Sequence, residues 1–264
     1  VFSAEEALSV GTPVRGALLG GVSLPFEGAG YRIHPDWQTR DRAYATPQVV
    51  AWLTRVFSKV GQEIPDTCFY VGDLSGRSGG GASLHRSHES GRDVDIFYSA
   101  VDINGRPLTS LPAMLRFSAD GEIIRWSPSL SGQKPREPVP EGRFDARRNW
   151  AVVRALLSDS SIEVQWVFIY RPLAELLLRE AEFEQEDPAL VARAREILHQ
   201  PTDSRPHDDH MHVRVYCPPE SRYVGCVDKG PRRWLKKRWK YLAESSSVSS
   251  SSSSPDSFGA SAAR

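Results

Sequence analysis

Five of the chain's seven histidines fall in two short segments. One is Leu84-His85-Arg86-Ser87-His88-Glu89-Ser90-Gly91-Arg92-Asp93-Val94-Asp95, with His88 and Asp95 seven residues apart. The other, far downstream, is His207-Asp208-Asp209-His210-Met211-His212. Random scatter over 264 residues does not concentrate imidazoles in this way. Neutral imidazoles and a carboxylate converging on one point are what a zinc ion binds, and three such groups leave a fourth position for water. Zinc lowers the pKa of that water to roughly 7 and polarises a carbonyl, which is equipment for amide hydrolysis. A proton carrier must lie within reach of the water. The chain has no His-Glu-x-x-His glutamate, so a histidine of the His210-Met211-His212 pair is the natural substitute. Spacing leaves open which of the two binds metal, and both can ligate.

The elements around these segments have to bring them together. Val94 to Tyr98 alternates as a strand, and so does Met211 to Tyr216. Side chains alternate across a strand, so Asp93, Asp95 and Phe97 share one face, as do His210, His212 and Arg214. If the two strands pair or neighbour, the ligands meet above the sheet, with Ser90-Gly91 as a turn folding His88 back over Asp95. Val164 to Tyr170 reads as a central strand, β-branched and aromatic. Cys68 to Val71 reads as a short strand. Helices are expected from Thr46-Pro47 to Gly61, over Phe144–Leu157, from Pro172 to Glu186 and from Asp187-Pro188 to Gln200. Residues 1 to 45 read as irregular with short strands. Residues 100 to 145 read as loops and hairpins turning at Asn104-Gly105 and Asp120-Gly121. This order predicts an α+β single domain with a small central antiparallel sheet flanked by helices.

Blander readings exist for each residue taken alone. His85 and His88 suit an exposed helix face, Asp93 a turn cap, and Asp208 and Asp209 a role orienting neighbouring imidazoles. Gly76-Arg77-Ser78-Gly79-Gly80-Gly81 lacks the Gly-Lys-Ser/Thr of a phosphate cradle and is either a wall of the cleft or a turn cluster. No Gly-x-Ser-x-Gly elbow and no Cys-x-x-Cys pair occurs. Formal net charge is zero, which argues against a general nucleic-acid binder, and no run of about 18 apolar residues predicts a membrane span. Cys217 and Cys226 bracket a turn-rich loop and read as a local disulfide, implying an oxidising compartment. Cys68 lies in an apolar run and reads as an inert core thiol. The chain starts at Val1 without a leader, so either a signal was removed or the chain was trimmed.

The organisation expected is a metallopeptidase domain over 1–228, a basic amphipathic helix over 229–244 and a flexible Ser-rich tail over 245–264. Leu235, Trp239 and Leu242 share one face of that helix. It either packs on the domain or makes peripheral contact with the cell envelope.

Ser87-His88-Glu89-Ser90-Gly91-Arg92-Asp93-Val94-Asp95-Ile96-Phe97, together with His207 to Arg214 and the following Cys217-Pro218, closely resembles the penicillin-insensitive murein endopeptidases. Weaker similarity passes through Gly72-Asp73, Asn149-Trp150 and Val164 to Ile169 and spans roughly residues 8 to 228. The resemblance implies a fold shared with the lysostaphin-type, D-Ala-D-Ala and hedgehog-like zinc proteins. It implies a periplasmic or secreted bacterial enzyme that hydrolyses D-alanyl–meso-diaminopimelyl cross-links in peptidoglycan by attack of metal-bound water. By motif, His88, Asp95 and His212 are the ligands of one zinc ion and His210 the catalytic base or transition-state donor. His207 and His85 line the site as auxiliary ligands or oxyanion partners. Arg92 stands where an apolar residue is expected, which leaves the substrate preference beside the metal open. The rival readings are a D,D-carboxypeptidase acting on stem peptides and a non-catalytic, zinc-stabilised binding module.

Overall fold

The computed structural model describes residues 7–81, 85–124, 139–231 and 233. A hairpin opens the chain, β1 (Leu8–Thr12) against β2 (Arg15–Leu19). The short strands β3 (Val22–Ser23), β4 (Glu27–Gly28) and β5 (Tyr31–Ile33) follow, then a single helical turn α1 (Pro35–Gln38) and β6 (Tyr44–Ala45), which pairs with β3. Helix α2 (Pro47–Glu63) starts with proline in its first turn, where a missing N–H costs nothing. Its buried Val49, Trp52, Leu53, Val56, Phe57 and Val60 recur at helical spacing. The helix continues through Gly61, where the sequence suggested an end. A Cβ there would come within 3.2 Å of the Gly30 backbone, so the glycine serves a close crossing and not a stop.

The centre of the molecule is a seven-stranded sheet. β7 (Phe69–Val71) and β8 (Asp93–Phe97) enter it from the first half of the chain. β9 (Ala100–Asp102) and β10 (Gly142–Phe144) form a separate antiparallel pair. Helix α3 (Ala146–Ser158), capped by the Asp145 carboxylate on the Arg148 N–H, leads to β11 (Val164–Phe168). Helices α4 (Arg171–Phe183) and α5 (Pro188–Ile197), β12 (Leu198–His199) and β13 (His210–Val215) complete the fold. The strand order is β12-β11-β13-β8-β7-β5-β4.

The fold class is α+β as expected, with two differences in the sheet. It is larger than the small sheet anticipated, and it is mixed. β8, β13 and β11 are antiparallel, but β5 runs parallel to β7 and β12 parallel to β11. The connections α1–α2 and α4–α5 are long enough to return the chain to the same end of the sheet, which parallel neighbours require. On one face Val94, Ile96, Met211, Val213, Val164 and Val167 are buried in a single cluster with the apolar faces of α2 to α5. The alternate residues face the other way, which frees that side for polar chemistry.

Three further expectations meet the structure. Cys217 and Cys226 form a disulfide, S–S 2.03 Å. Cys68 is not a core thiol: it is half-buried, and Arg32 Nε donates to its sulfur at 3.3 Å. Arg92 does not border the metal centre. It lies opposite Asp93, fully buried, and pairs with Asp228 at 2.9 Å, donating also to the Val227 carbonyl. Asp228 also holds Arg222 and the Cys217 N–H, so one carboxylate ties the strand to the disulfide loop. Apart from Arg233, the basic segment 232–242 lies outside the described residues, as does the Ser-rich tail.

Removing one member of a buried, hydrogen-bonded ion pair leaves charge without compensation. Arg92→Ala is therefore expected to lower unfolding free energy by about 3 kcal/mol, measured by urea denaturation. A change under about 0.5 kcal/mol, within the range of an ordinary surface substitution, would contradict the structural role.

Candidate metal centre

The pairing of β8 with β13 builds the centre. Its register sets His212 opposite Asp95, Arg214 opposite Asp93 and His210 opposite Phe97. Two segments more than a hundred residues apart thereby share one sheet face. Beyond β13, Phe168 of β11 stands opposite His212, with ring centroids 5.2 Å apart.

His88 comes from the loop before β8, in a left-handed backbone conformation (φ +67°) that a non-glycine residue seldom adopts. Its surroundings hold it there. The His88 N–H donates to Asp93 Oδ2 at 3.0 Å, and its carbonyl accepts from Ser75 Oγ at 2.7 Å and Arg42 Nη2 at 3.2 Å. Imidazole Nδ1 lies 2.9 Å from the Leu74 carbonyl, which assigns the proton to Nδ1 and turns the Nε2 lone pair inward.

Asp95 is the common point. Its Oδ1 lies 3.2 Å from His88 Nε2, 3.3 Å from His212 Nδ1 and 3.5 Å from His210 Nε2. Yet His88 Nε2 and both Asp95 carboxylate oxygens are buried without a hydrogen bond. The lone pairs point at a shared region rather than at one another's protons. The candidate ligand atoms of His85, His88 and Asp95 lie within 4.8 Å of one another, and so do those of His207, His210 and His212. The rings of His88 and His212, one from each set, have centroids 4.6 Å apart. These residues fit a divalent cation, which alone would compensate a buried carboxylate and accept the imidazole lone pairs together.

Electrostatics divide the imidazoles. At His88, His207, His210 and His212 burial disfavours the charged form. At His212 burial prevails over the adjacent Asp93 and the pKa falls to about 4. At His207 burial, reinforced by His210 and His212, also lowers it to about 4. At His210 burial is outweighed by Asp95 and Asp209, and the pKa rises to about 9. At His88 burial is likewise outweighed, chiefly by Asp95, and the pKa is raised. The Asp95 carboxyl, which burial alone would raise, is held well down by His88 and His210.

The five clustered histidines and Asp95 gather here. His88, Asp95, His210 and His212 meet directly. His207 packs on His210 and His212 at 5.1 and 5.8 Å, with its Nδ1 buried and unbonded. His85 stacks beside His88 at 4.6 Å, and its Nε2 lies 2.7 Å from Asp73 Oδ2. The two aspartates after His207 divide their tasks: Asp209 holds His210 Nδ1 at 2.6 Å, whereas Asp208 pairs with Arg116. The sequence reading missed two carboxylates. Asp93 is a hub and not a turn cap. It accepts from the His88 N–H and from Arg214 Nε at 2.7 Å, and lies 3.2 Å from His212 Nε2. The signal was present, since Asp93 shares a strand face with Asp95. Asp73, the partner of His85 and Arg40, is brought in by tertiary contact alone.

The fold and site thus define an α+β protein whose described residues include two adjoining His/Asp groups able to hold a metal ion. The family model described as penicillin-insensitive murein endopeptidase matches residues 9–234, and the chain belongs to that family. Similar relatives bear the same name. One from Klebsiella pneumoniae is 26% identical over 236 residues, covering 86% of this chain and 72% of the relative. One from Yersinia pestis is 27% identical over 232 residues, covering 84% and 70%. One from Haemophilus influenzae is 24% identical over 228 residues, covering 86% and 68%.

Partners that orient a ligating imidazole typically matter 10- to 100-fold in metal affinity. Asp93→Asn keeps the shape but weakens the hold on His212 and Arg214. It should weaken binding of a divalent cation, with Zn2+ as the probe, by about 10- to 100-fold in a competition titration against a chromophoric chelator. Unchanged affinity would remove Asp93 from the centre.

Proposed function

We propose that the protein is a zinc-dependent D,D-endopeptidase that hydrolyses the D-alanyl–meso-diaminopimelyl cross-links of peptidoglycan. The observation that carries this reading is Asp95, buried and unbonded at both oxygens among His88, His210 and His212. The name borne by the relatives supplies the substrate, murein, and the class of reaction, internal peptide hydrolysis. His88, Asp95 and His212 are assigned as ligands of one zinc ion, a two-imidazole, one-carboxylate set suited to a catalytic site with an open position.

Zinc, when bound, supplies a Lewis acid for the carbonyl and an acidified water. The remaining work falls to the chain. His210, oriented by Asp209 at Nδ1, keeps Nε2 toward the centre, where it carries the proton from water to the leaving amine as the amide C–N bond breaks. His207 offers its unbonded Nδ1 to the oxygen that gains charge at the scissile carbonyl. His85 lines the site from the Asp73 side. The Cys217–Cys226 bridge supports a periplasmic or secreted location, where disulfides persist. Among the described residues no helix is long and apolar enough to cross a membrane.

Purified cross-linked muropeptide dimers should be converted to monomers by the zinc-loaded protein and not after chelation. Release of free D-alanine from uncross-linked stems, with dimers left intact, would replace the endopeptidase with a carboxypeptidase. His210→Ala should retain zinc and lose about 10²-fold or more in rate. Full activity in that variant would overturn the assignment of its role.

A further inference from the structure

Arg40 stands at the rim of the centre, on the Asp73 side. Its guanidinium lies over the Trp37 ring, 4.1 Å from the centroid, and Trp37 packs edge-on against Phe97 at 4.9 Å. Phe97 shares the strand face of Asp95. Arg40 Nη1 donates to Asp73 Oδ2 at 3.0 Å, the same oxygen that lies 2.7 Å from His85 Nε2. His85 in turn belongs to the His88 and Asp95 set. A planar cation is thus held on an aromatic ring and tethered by one nitrogen, within a few ångströms of the candidate metal ligands. Its side chain is 25% exposed, and among the described residues its Nε and Nη2 hold no hydrogen bond.

The other cations around the centre are committed. Arg116 spends both Nε and Nη2 on Asp208. Arg214 is forked onto Asp93. Arg42 donates to the His88 carbonyl. Arg116 is more exposed, at 33%, but its Nε and Nη2 are taken, and of these four Arg40 alone has both Nε and Nη2 without a hydrogen bond among the described residues; such a guanidinium edge matches a carboxylate in charge and in spacing.

We infer that Arg40 is the anchor for a free carboxylate of the substrate, the one on the carbon that bears the scissile nitrogen. The inference rests on the function proposed above. In a D-alanyl–meso-diaminopimelyl cross-link the amide nitrogen sits on a carbon that also carries an ionised carboxylate. That charge must lie close to the metal centre whenever the amide carbonyl does. Arg40 therefore sets the requirement for an α-carboxylate on the leaving side, and Trp37 and Asp73 position its guanidinium.

The test uses two synthetic cross-linked peptide dimers that differ only at this group, carboxylate against carboxamide, with the zinc-loaded full chain and its Arg40→Gln and Arg40→Lys variants. The wild type should cleave the carboxylate dimer with a kcat/KM about tenfold or more above that of the carboxamide, the scale of a charge-assisted hydrogen bond. Arg40→Gln should erase that preference through KM, leaving the carboxamide rate within about twofold and the zinc content unchanged. Arg40→Lys should keep part of the preference, as the charge remains without the fork. An equal loss on both dimers, a wild type indifferent to the carboxylate, or loss of zinc from Arg40→Gln would overturn the inference. Calorimetric binding of the carboxylate and carboxamide forms of the leaving peptide separates this from the hydrolase reading. Discrimination in binding that depends on Arg40, without cleavage of either dimer, would sink the endopeptidase and sustain the anchor. No discrimination in binding or in cleavage would sink the anchor.

Discussion

A carboxylate buried without a hydrogen bond to either oxygen is costly, and Asp95 is in that position at the middle of the central sheet. Around it the fold arranges imidazoles from two remote segments, each with its far side against a fixed acceptor. His88 has its Nδ1 on the Leu74 carbonyl, His212 its Nε2 beside Asp93, and His210 its Nδ1 on Asp209. Ring nitrogens turned inward and a buried carboxylate without a hydrogen bond together make a centre that a divalent cation can complete.

The site is built chiefly on strands, which hold their geometry better than loops do. Asp95, His210 and His212 sit on β8 and β13, the longest uninterrupted pairing in the sheet, and the opposite face of those strands is sealed by the helices. His88 is the exception. Its loop conformation is strained, and the bonds from Ser75, Arg42 and Asp93 offset that cost. Asp93 therefore acts twice, fixing the loop that carries one candidate ligand and the imidazole of another. The groups bordering the centre come from elsewhere: Phe168 and His207 on the β11 side, Trp37 and Arg40 on the β7 side.

Charge is buried on both faces of the strand carrying Asp93 and Asp95, and the two burials differ in purpose. Arg92, Asp228 and Arg222 satisfy one another beneath the disulfide loop. That loop also clasps the N-terminal hairpin through Gly11 N–H to the Gly225 carbonyl and Val227 N–H to the Gly11 carbonyl. The network joins the two ends of the domain to the strand that bears Asp95. On the other face Arg214 pairs with Asp93, while Asp95 keeps both oxygens without a hydrogen bond.

Much of this was legible in the residues alone. Alternation in Asp93–Phe97 and His210–Val215 put the reactive side chains on one face of each strand, and helical periodicity located α2, α3, α4 and α5 to within a few residues. Turn chemistry pointed to the local Cys217–Cys226 bridge. These are local properties, set by the pleat, the helical repeat and short-range loop closure. Strand neighbours, the parallel edges of the sheet, the partner of Arg92 and the convergence of Arg40 and His85 on Asp73 were not legible. Each depends on which distant segments become neighbours when the whole core closes, and no spacing along one stretch of chain carries that information. The types of group available for chemistry were determined by the sequence. Their partners, and so the work each can do, were decided by tertiary contact.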